Sequence, residues 1–126
     1  HTQLNLPDGM FRDPVSGEII VANTGGDSVL IFAKDATGDA APVRVIKGAL
    51  TTIKGPVGVS VDAKRNELWV ASWDSHSASV YPRTANGNVA PLRAIRSASD
   101  DAPLASMGRI GAVAFDPKRN EILAPN

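Results

Sequence analysis

The chain has 126 residues, 43% of them hydrophobic, and balances 13 Lys and Arg against 13 Asp and Glu. That composition suits one modest globular domain and argues against disorder. The neutral balance also argues against tight nucleic-acid binding, which rests on cations neutralising phosphates. No apolar run approaches the ~20 residues that span a bilayer, and the lack of cysteine excludes disulfides, thiolate metal sites and cysteine nucleophiles.

In chain order, strands are predicted at about 8–13, 18–23, 28–33 and 43–47. The second is almost continuously apolar, as a strand covered on both faces must be. Four more follow at 57–62, 67–72, 77–82 and 92–96, and then two at 110–115 and 121–126. Each first-to-second-strand hairpin ends in Gly17, Asn66 or Asn120, residues that tolerate positive φ. Thr37-Gly38-Asp39 and Asn86-Gly87-Asn88 carry turn chemistry between third and fourth strands, and Pro42 and Pro91 open the fourth, where an outer edge accepts a missing N–H.

The second set repeats the first. Pro7-Asp-Gly-Met-Phe-Arg-Asp13 aligns with Pro56-Val-Gly-Val-Ser-Val-Asp62 at an offset of 49, which also aligns Glu18-Ile-Ile-Val-Ala-Asn23 with Glu67-Leu-Trp-Val-Ala-Ser72. Ser28-Val-Leu-Ile-Phe32 falls on Ser77-Ala-Ser-Val-Tyr81, and Ala41-Pro-Val-Arg-Val-Ile46 on Ala90-Pro-Leu-Arg-Ala-Ile95. A third copy begins with Asp116-Pro-Lys-Arg-Asn-Glu121, 54 residues after Asp62, which implies five inserted residues within 97–108. The repeats run 7–55, 56–109 and 110–126. Four antiparallel strands at this period predict an all-β fold of β-propeller blades in an incomplete ring, because a sandwich has no reason for such a period.

The pattern P-x-G-x-x-x-D, then N/G-E followed by an apolar stretch ending V-A-N, then S-V-x-hydrophobic-F, resembles NHL-type propeller repeats. G-D/N-x-A-P-x-R-x-I is similar to the YVTN-like propellers of the bacterial envelope or secreted fraction. The resemblance covers two full repeats and half of a third. It implies a ring of about six blades, an extracytoplasmic setting, and use as a scaffold or binding platform. With no leader ahead of His1, any signal peptide is expected to have been removed. Leu6-Pro-Asp8-Gly-Met10 is also similar to the P-D-G-M segment of regucalcin-like gluconolactonases. That likeness implies Asp8 as a metal ligand in the alternative function, a metal-dependent lactonase or hydrolase. The family's other ligands have no counterparts, and Val57 and Gly111 replace Asp8 in the later repeats.

Trp73, Asp74, His76 and Asn23 are the candidate binding residues. Trp69 belongs to the apolar second strand and is expected in the core, whereas Trp73 stands in a polar loop, where a large aromatic suits an anchor. Asp74 beside His76 and Ser75 or Ser77 suggests a base and nucleophile, but neighbours in one loop seldom converge on a point. Asp35 and Asp39 around Gly38 lack the order of a calcium loop. Lys64-Arg65 and Lys118-Arg119 are expected at solvated hairpin tips, and His1 as a mobile terminus. No catalytic residue, cofactor, nucleotide loop or membrane span is expected. The partners expected are a protein bound on one face, or the remaining blades of a longer chain or oligomer.

Overall fold

Three aspartates set the hairpins of this protein. In the computed structural model, which describes residues 1–96 and 111–124, Asp13 Oδ1 accepts the backbone N–H groups of Val15 (2.8 Å) and Ser16 (3.3 Å). Asp62 Oδ1 accepts that of Arg65 at 3.1 Å, and Asp116 Oδ1 those of Lys118 (2.9 Å) and Arg119 (3.3 Å). Each turn then closes through a left-handed residue: Gly17 at φ 76°, Asn66 at 61° and Asn120 at 58°. A short side chain that folds back on its own backbone, followed by a residue that tolerates positive φ, makes the reversal inexpensive.

Between these turns run β1 (Pro7–Arg12), β2 (Ile19–Asn23), β3 (Ser28–Phe32) and β4 (Arg44–Lys47), one antiparallel sheet in sequential order. The second sheet repeats it with β5 (Pro56–Asp62), β6 (Glu67–Ser72), β7 (Ser77–Pro82) and β8 (Arg93–Arg96). β9 (Ala114–Asp116) and β10 (Glu121–Leu123) form a two-stranded third unit. The chain is all-β, as expected, and among the described residues no helix is long and apolar enough to cross a membrane.

Period-2 geometry explains the apolar second strands. Along β2, Ile20 and Ala22 face the second sheet, where they join Val29, Ile31 and Ile46 from their own sheet and Val59, Leu68, Val70 and Tyr81 from the next. Val21 points the other way, with Leu30 and Phe32. In the second sheet, Trp69, Ala71, Ala78 and Val80 face the third unit and meet Val113. The second sheet lies between the first sheet and the third unit, so β6 and β7 are buried on both sides. β2 and β3 are buried too, their outer side closed by Val21, Leu30 and Phe32 with Ile19, Ala36 and Val45.

The glycine of P-x-G marks where inner strands converge. A Cβ on Gly9 would lie 2.4 Å from the Val57 carbonyl oxygen, and one on Gly58 would lie 3.1 Å from the Ala112 Cα. Backbone meets backbone there, and only glycine fits.

Among the described residues, the third unit's strands cover Ala114–Asp116 and Glu121–Leu123, against the expected 110–115 and 121–126, of which residues 110, 125 and 126 lie outside the description. Among the described residues β10 pairs with β9 alone, through three residue pairs from Glu121↔Asp116 to Leu123↔Ala114. Residues 97–110, with the inserted segment, and 125–126 lie outside the described residues.

Candidate functional site

The loops after β2 and β6 share one face with the segments that lead into β1 and β5. Thr24–Gly26 forms a 3-10 turn closed by Asp27 in the left-handed region, at φ 46°. Its counterpart 73–75 is closed by His76 at φ 51°. Both loops are tied by main-chain bonds to the segment that leads into the first strand of their own sheet. Gly25 N–H donates to the Asn5 carbonyl (2.9 Å), and Trp73 and Asp74 N–H donate to Gly55 (2.9 Å) and Lys54 (3.2 Å). Thr24 Oγ1 donates to the Pro56 carbonyl at 2.6 Å, and Asp27 Oδ1 accepts Gly55 N–H at 2.8 Å. The Thr24 and Asp27 bonds cross between the two sheets, so the face is pinned to the fold.

The predicted site residues divide on this face. Trp73 is 39% exposed while Trp69, four residues earlier, is 4% exposed. The Trp73 ring edge reaches over Gly111, its Cζ3 lying 3.6 Å from where a Cβ would stand. Asp74 is exposed and lies against Gly55, where a Cβ would come within 2.5 Å of its Oδ2. His76 is half-buried. The Ser75 and Ser77 hydroxyls bond each other at 2.8 Å.

Asn23 differs from the expectation that it binds. It is 2% exposed, and its amide is consumed within the chain. Its Oδ1 accepts Asn5 N–H (2.7 Å), and its Nδ2 donates to the Gln3 carbonyl (3.2 Å) and Ser28 Oγ (3.0 Å). Asn23 therefore latches residues 3–5 onto the first sheet, which a surface loop residue could not do. In the second repeat Ser72 is too short for this, and its buried hydroxyl has no hydrogen-bond partner among the described residues. Asp8 is exposed on β1, and among the described residues no group of three or more His, Asp or Glu could hold a metal ion.

One further expectation gives way: His1 pairs with Asp39, its amino group 2.7 Å and its Nδ1 2.6 Å from the carboxylate. Lys64, Arg65, Lys118 and Arg119 are exposed at their hairpin tips, as expected, and Arg65 also bonds there, with Nη1 3.0 Å from Asp62 Oδ2 and donating to Asn120 of the third unit.

Sequence reasoning missed the ion pairs. Arg44 grips Glu18 through two hydrogen bonds of 2.9 Å, and Arg93 grips Glu67 at 2.8 and 2.7 Å. The Arg44 hydrogen bonds hold the Glu18 carboxyl below its ordinary value. Arg93 also lies 5.5 Å from the Trp69 ring centre, a cation–π contact. Arg83 reaches back to the first sheet, its Nη1 2.8 Å from buried Asp13 Oδ2. Burial pushes Asp13 up, but the hydrogen bonds from Arg83, Val15 and Ser16 outweigh it and the net shift is downward. The available signal was the recurrence of Glu and Arg at the repeat period.

No protein-family model matches the chain, and neither does any curated protein. Solved structures do. Hydrazine synthase of Kuenenia stuttgartiensis matches with a TM-score of 0.71 at 15% identity, over 98% of this chain and 30% of that one. The WD40 β-propeller domain of Doa1 matches with a TM-score of 0.63 at 13% identity, over 98% of this chain and 35% of that one. Raptor of Chaetomium thermophilum matches with a TM-score of 0.62 at 15% identity, over 91% and 10%. The fold is that of a β-propeller segment. At these identities the likeness concerns the fold alone, and the segment spans about a third or less of each structure.

Proposed function

We propose that this propeller segment is a non-enzymatic scaffold or binding module of NHL-like type, working outside the cytoplasm. It binds a protein or ligand through the face built from 23–27, 48–55 and 72–76. The supporting observation is Trp73: 39% exposed, in a loop otherwise polar, with its backbone tied to the preceding linker. A rigidly mounted aromatic loses little conformational freedom on binding, which is what an anchor needs. Asp74 and His76 supply polar contacts beside it.

The test is a displayed peptide library panned against the immobilised chain, with Trp73→Ala as the counter-target. Peptides enriched on the wild type and lost on Trp73→Ala are expected. Enrichment indifferent to Trp73 would remove the anchor. Lactone hydrolysis that is abolished by EDTA would replace this reading with the metal-dependent one.

A further inference from the structure

A short loop of the second sheet clips the outer edge of the first. Asn86-Gly87-Asn88 is flanked by Ala85 and Val89, which both pack in the core shared by the two sheets. Asn86 Oδ1 accepts Val45 N–H at 3.1 Å, and Gly87 N–H donates to the Val45 carbonyl at 2.7 Å. The Gly87 carbonyl accepts Lys47 N–H at 3.2 Å, which sets Gly87 beside Ile46 in a parallel bridge. Asn88 Oδ1 closes the far end by accepting Leu50 N–H at 2.9 Å.

The clip is built from a chemically labile pair. An asparagine amide is thermolabile, because the backbone nitrogen of the next residue can attack its Cγ. Asn86 is the only asparagine in the chain that glycine follows. Elsewhere leucine, threonine, valine or glutamate follows asparagine, and each carries a side chain that shields the attacking nitrogen. Gly87 has none, and a Cβ built there would meet nothing within 4 Å. All three clip residues are exposed, so water reaches the amide. In the matching turn of the first repeat Thr37 stands in the place of Asn86 and has no amide to lose.

We propose that Asn86 is a site of spontaneous deamidation, and that its rearranged product opens the clip irreversibly. Solvent base removes the Gly87 amide proton, the nitrogen bonds to Asn86 Cγ, and the side-chain nitrogen leaves, reprotonated, as ammonia. One water then opens the cyclic imide. Attack at Cγ breaks the new bond and leaves an ordinary aspartate. Attack at the main-chain carbonyl carbon breaks the old peptide bond and leaves isoaspartate, linked to Gly87 through Cβ and Cγ. Either way an amide has been hydrolysed to a carboxylate and ammonia, with no change of oxidation state.

The structure sets both the pace and the consequence. In the closed clip the Gly87 proton is held by the Val45 carbonyl and the Asn86 amide by Val45 N–H, so attack follows a local opening. Aspartate keeps an acceptor oxygen and the backbone register. Isoaspartate lengthens the main chain by one atom between residues 86 and 87, and Gly87 then no longer meets Val45 and Lys47 together.

The test ages the full chain in warm, mildly alkaline buffer and locates deamidation and isoaspartate by peptide mapping with mass spectrometry. Conversion is expected at Asn86 and at no other asparagine, at least about tenfold slower in the folded chain than in urea. Asn88→Ala removes the Leu50 bond and should speed the folded-state reaction about two- to tenfold, with no effect in urea. In the isoaspartyl fraction Val45 and Lys47 should lose their protection from amide exchange, whereas Asn86→Asp should keep it. Conversion spread over other asparagines, a folded-state rate equal to that in urea or indifferent to Asn88→Ala, or no conversion of the folded chain would overturn the proposal. So would an isoaspartyl fraction in which Val45 and Lys47 remain protected.

Discussion

Arg93 and Glu67 are 26 residues apart and meet through two hydrogen bonds of 2.8 and 2.7 Å, reaching across β7 from the outermost strand to the start of the second. Arg44 and Glu18 repeat the arrangement one blade earlier. A planar guanidinium matches a carboxylate at two points, so the pair fixes the outer strand's position as well as contributing energy. The two pairs differ in solvent access: the Arg44 side chain is 19% exposed and that of Arg93 52%. Arg44→Met should therefore cost about 1–3 kcal/mol and Arg93→Met under about 1 kcal/mol. Chemical denaturation of the two variants checks the order, and equal losses would contradict it.

The Asp13–Arg83 pair joins two blades, and the Asp13 side chain is wholly buried. Removing the cation leaves a buried carboxylate with only its turn hydrogen bonds. Arg83→Ala should cost about 3 kcal/mol, and Arg83→Ala with Asp13→Asn should cost less than the single change. A double-mutant cycle reads the coupling directly.

Asp13 and Glu18 both have folded pKa values below their ordinary ones. Their stabilisation is complete above the unfolded carboxylate pKa and is lost as the pH falls from there through the folded values. Stability should hold from neutral pH to about pH 5 and then decline with acid. Glu18→Gln should flatten part of that decline in melts taken between pH 6 and pH 3, and an unchanged acid limb would exclude Glu18 as a contributor.

Ile46 and Ile95 occupy equivalent positions, yet Ile46 is 0% exposed and Ile95 51%. The second sheet covers Ile46, whereas among the described residues no sheet covers Ile95 in the same way. Ile46→Ala should cost about 2–5 kcal/mol and Ile95→Ala under about 1 kcal/mol. Equal costs would mean that something else covers Ile95 in solution.

Acrylamide should quench Trp73 fluorescence strongly and Trp69 weakly in single-tryptophan variants made by Trp→Phe exchange. The exposures behind this are 39% and 4%. Equal protection of both would make Trp73 a packing residue and withdraw the binding reading.

The repeat, the strand order and the hairpin positions were legible because they rest on local rules. Asp13 and Gly17 bracket a turn through their own backbone preferences, and Ile19–Asn23 is apolar because a middle strand is covered twice. Trp69 and Trp73 were separable for the same reason, one lying inside the apolar run and the other beyond it. What sat beyond reach was which partner each polar side chain finds across a sheet or between blades. Asn23 looks like a loop residue in one dimension, yet its amide latches the segment that crosses above it. Glu18 and Arg44 are 26 residues apart, and only strand pairing through β3 brings them together. Arg83 answers Asp13 only once two sheets are stacked. Local backbone chemistry is written residue by residue, whereas burial and long-range charge pairing arise from how the sheets are placed, and that placement is a property of the folded chain.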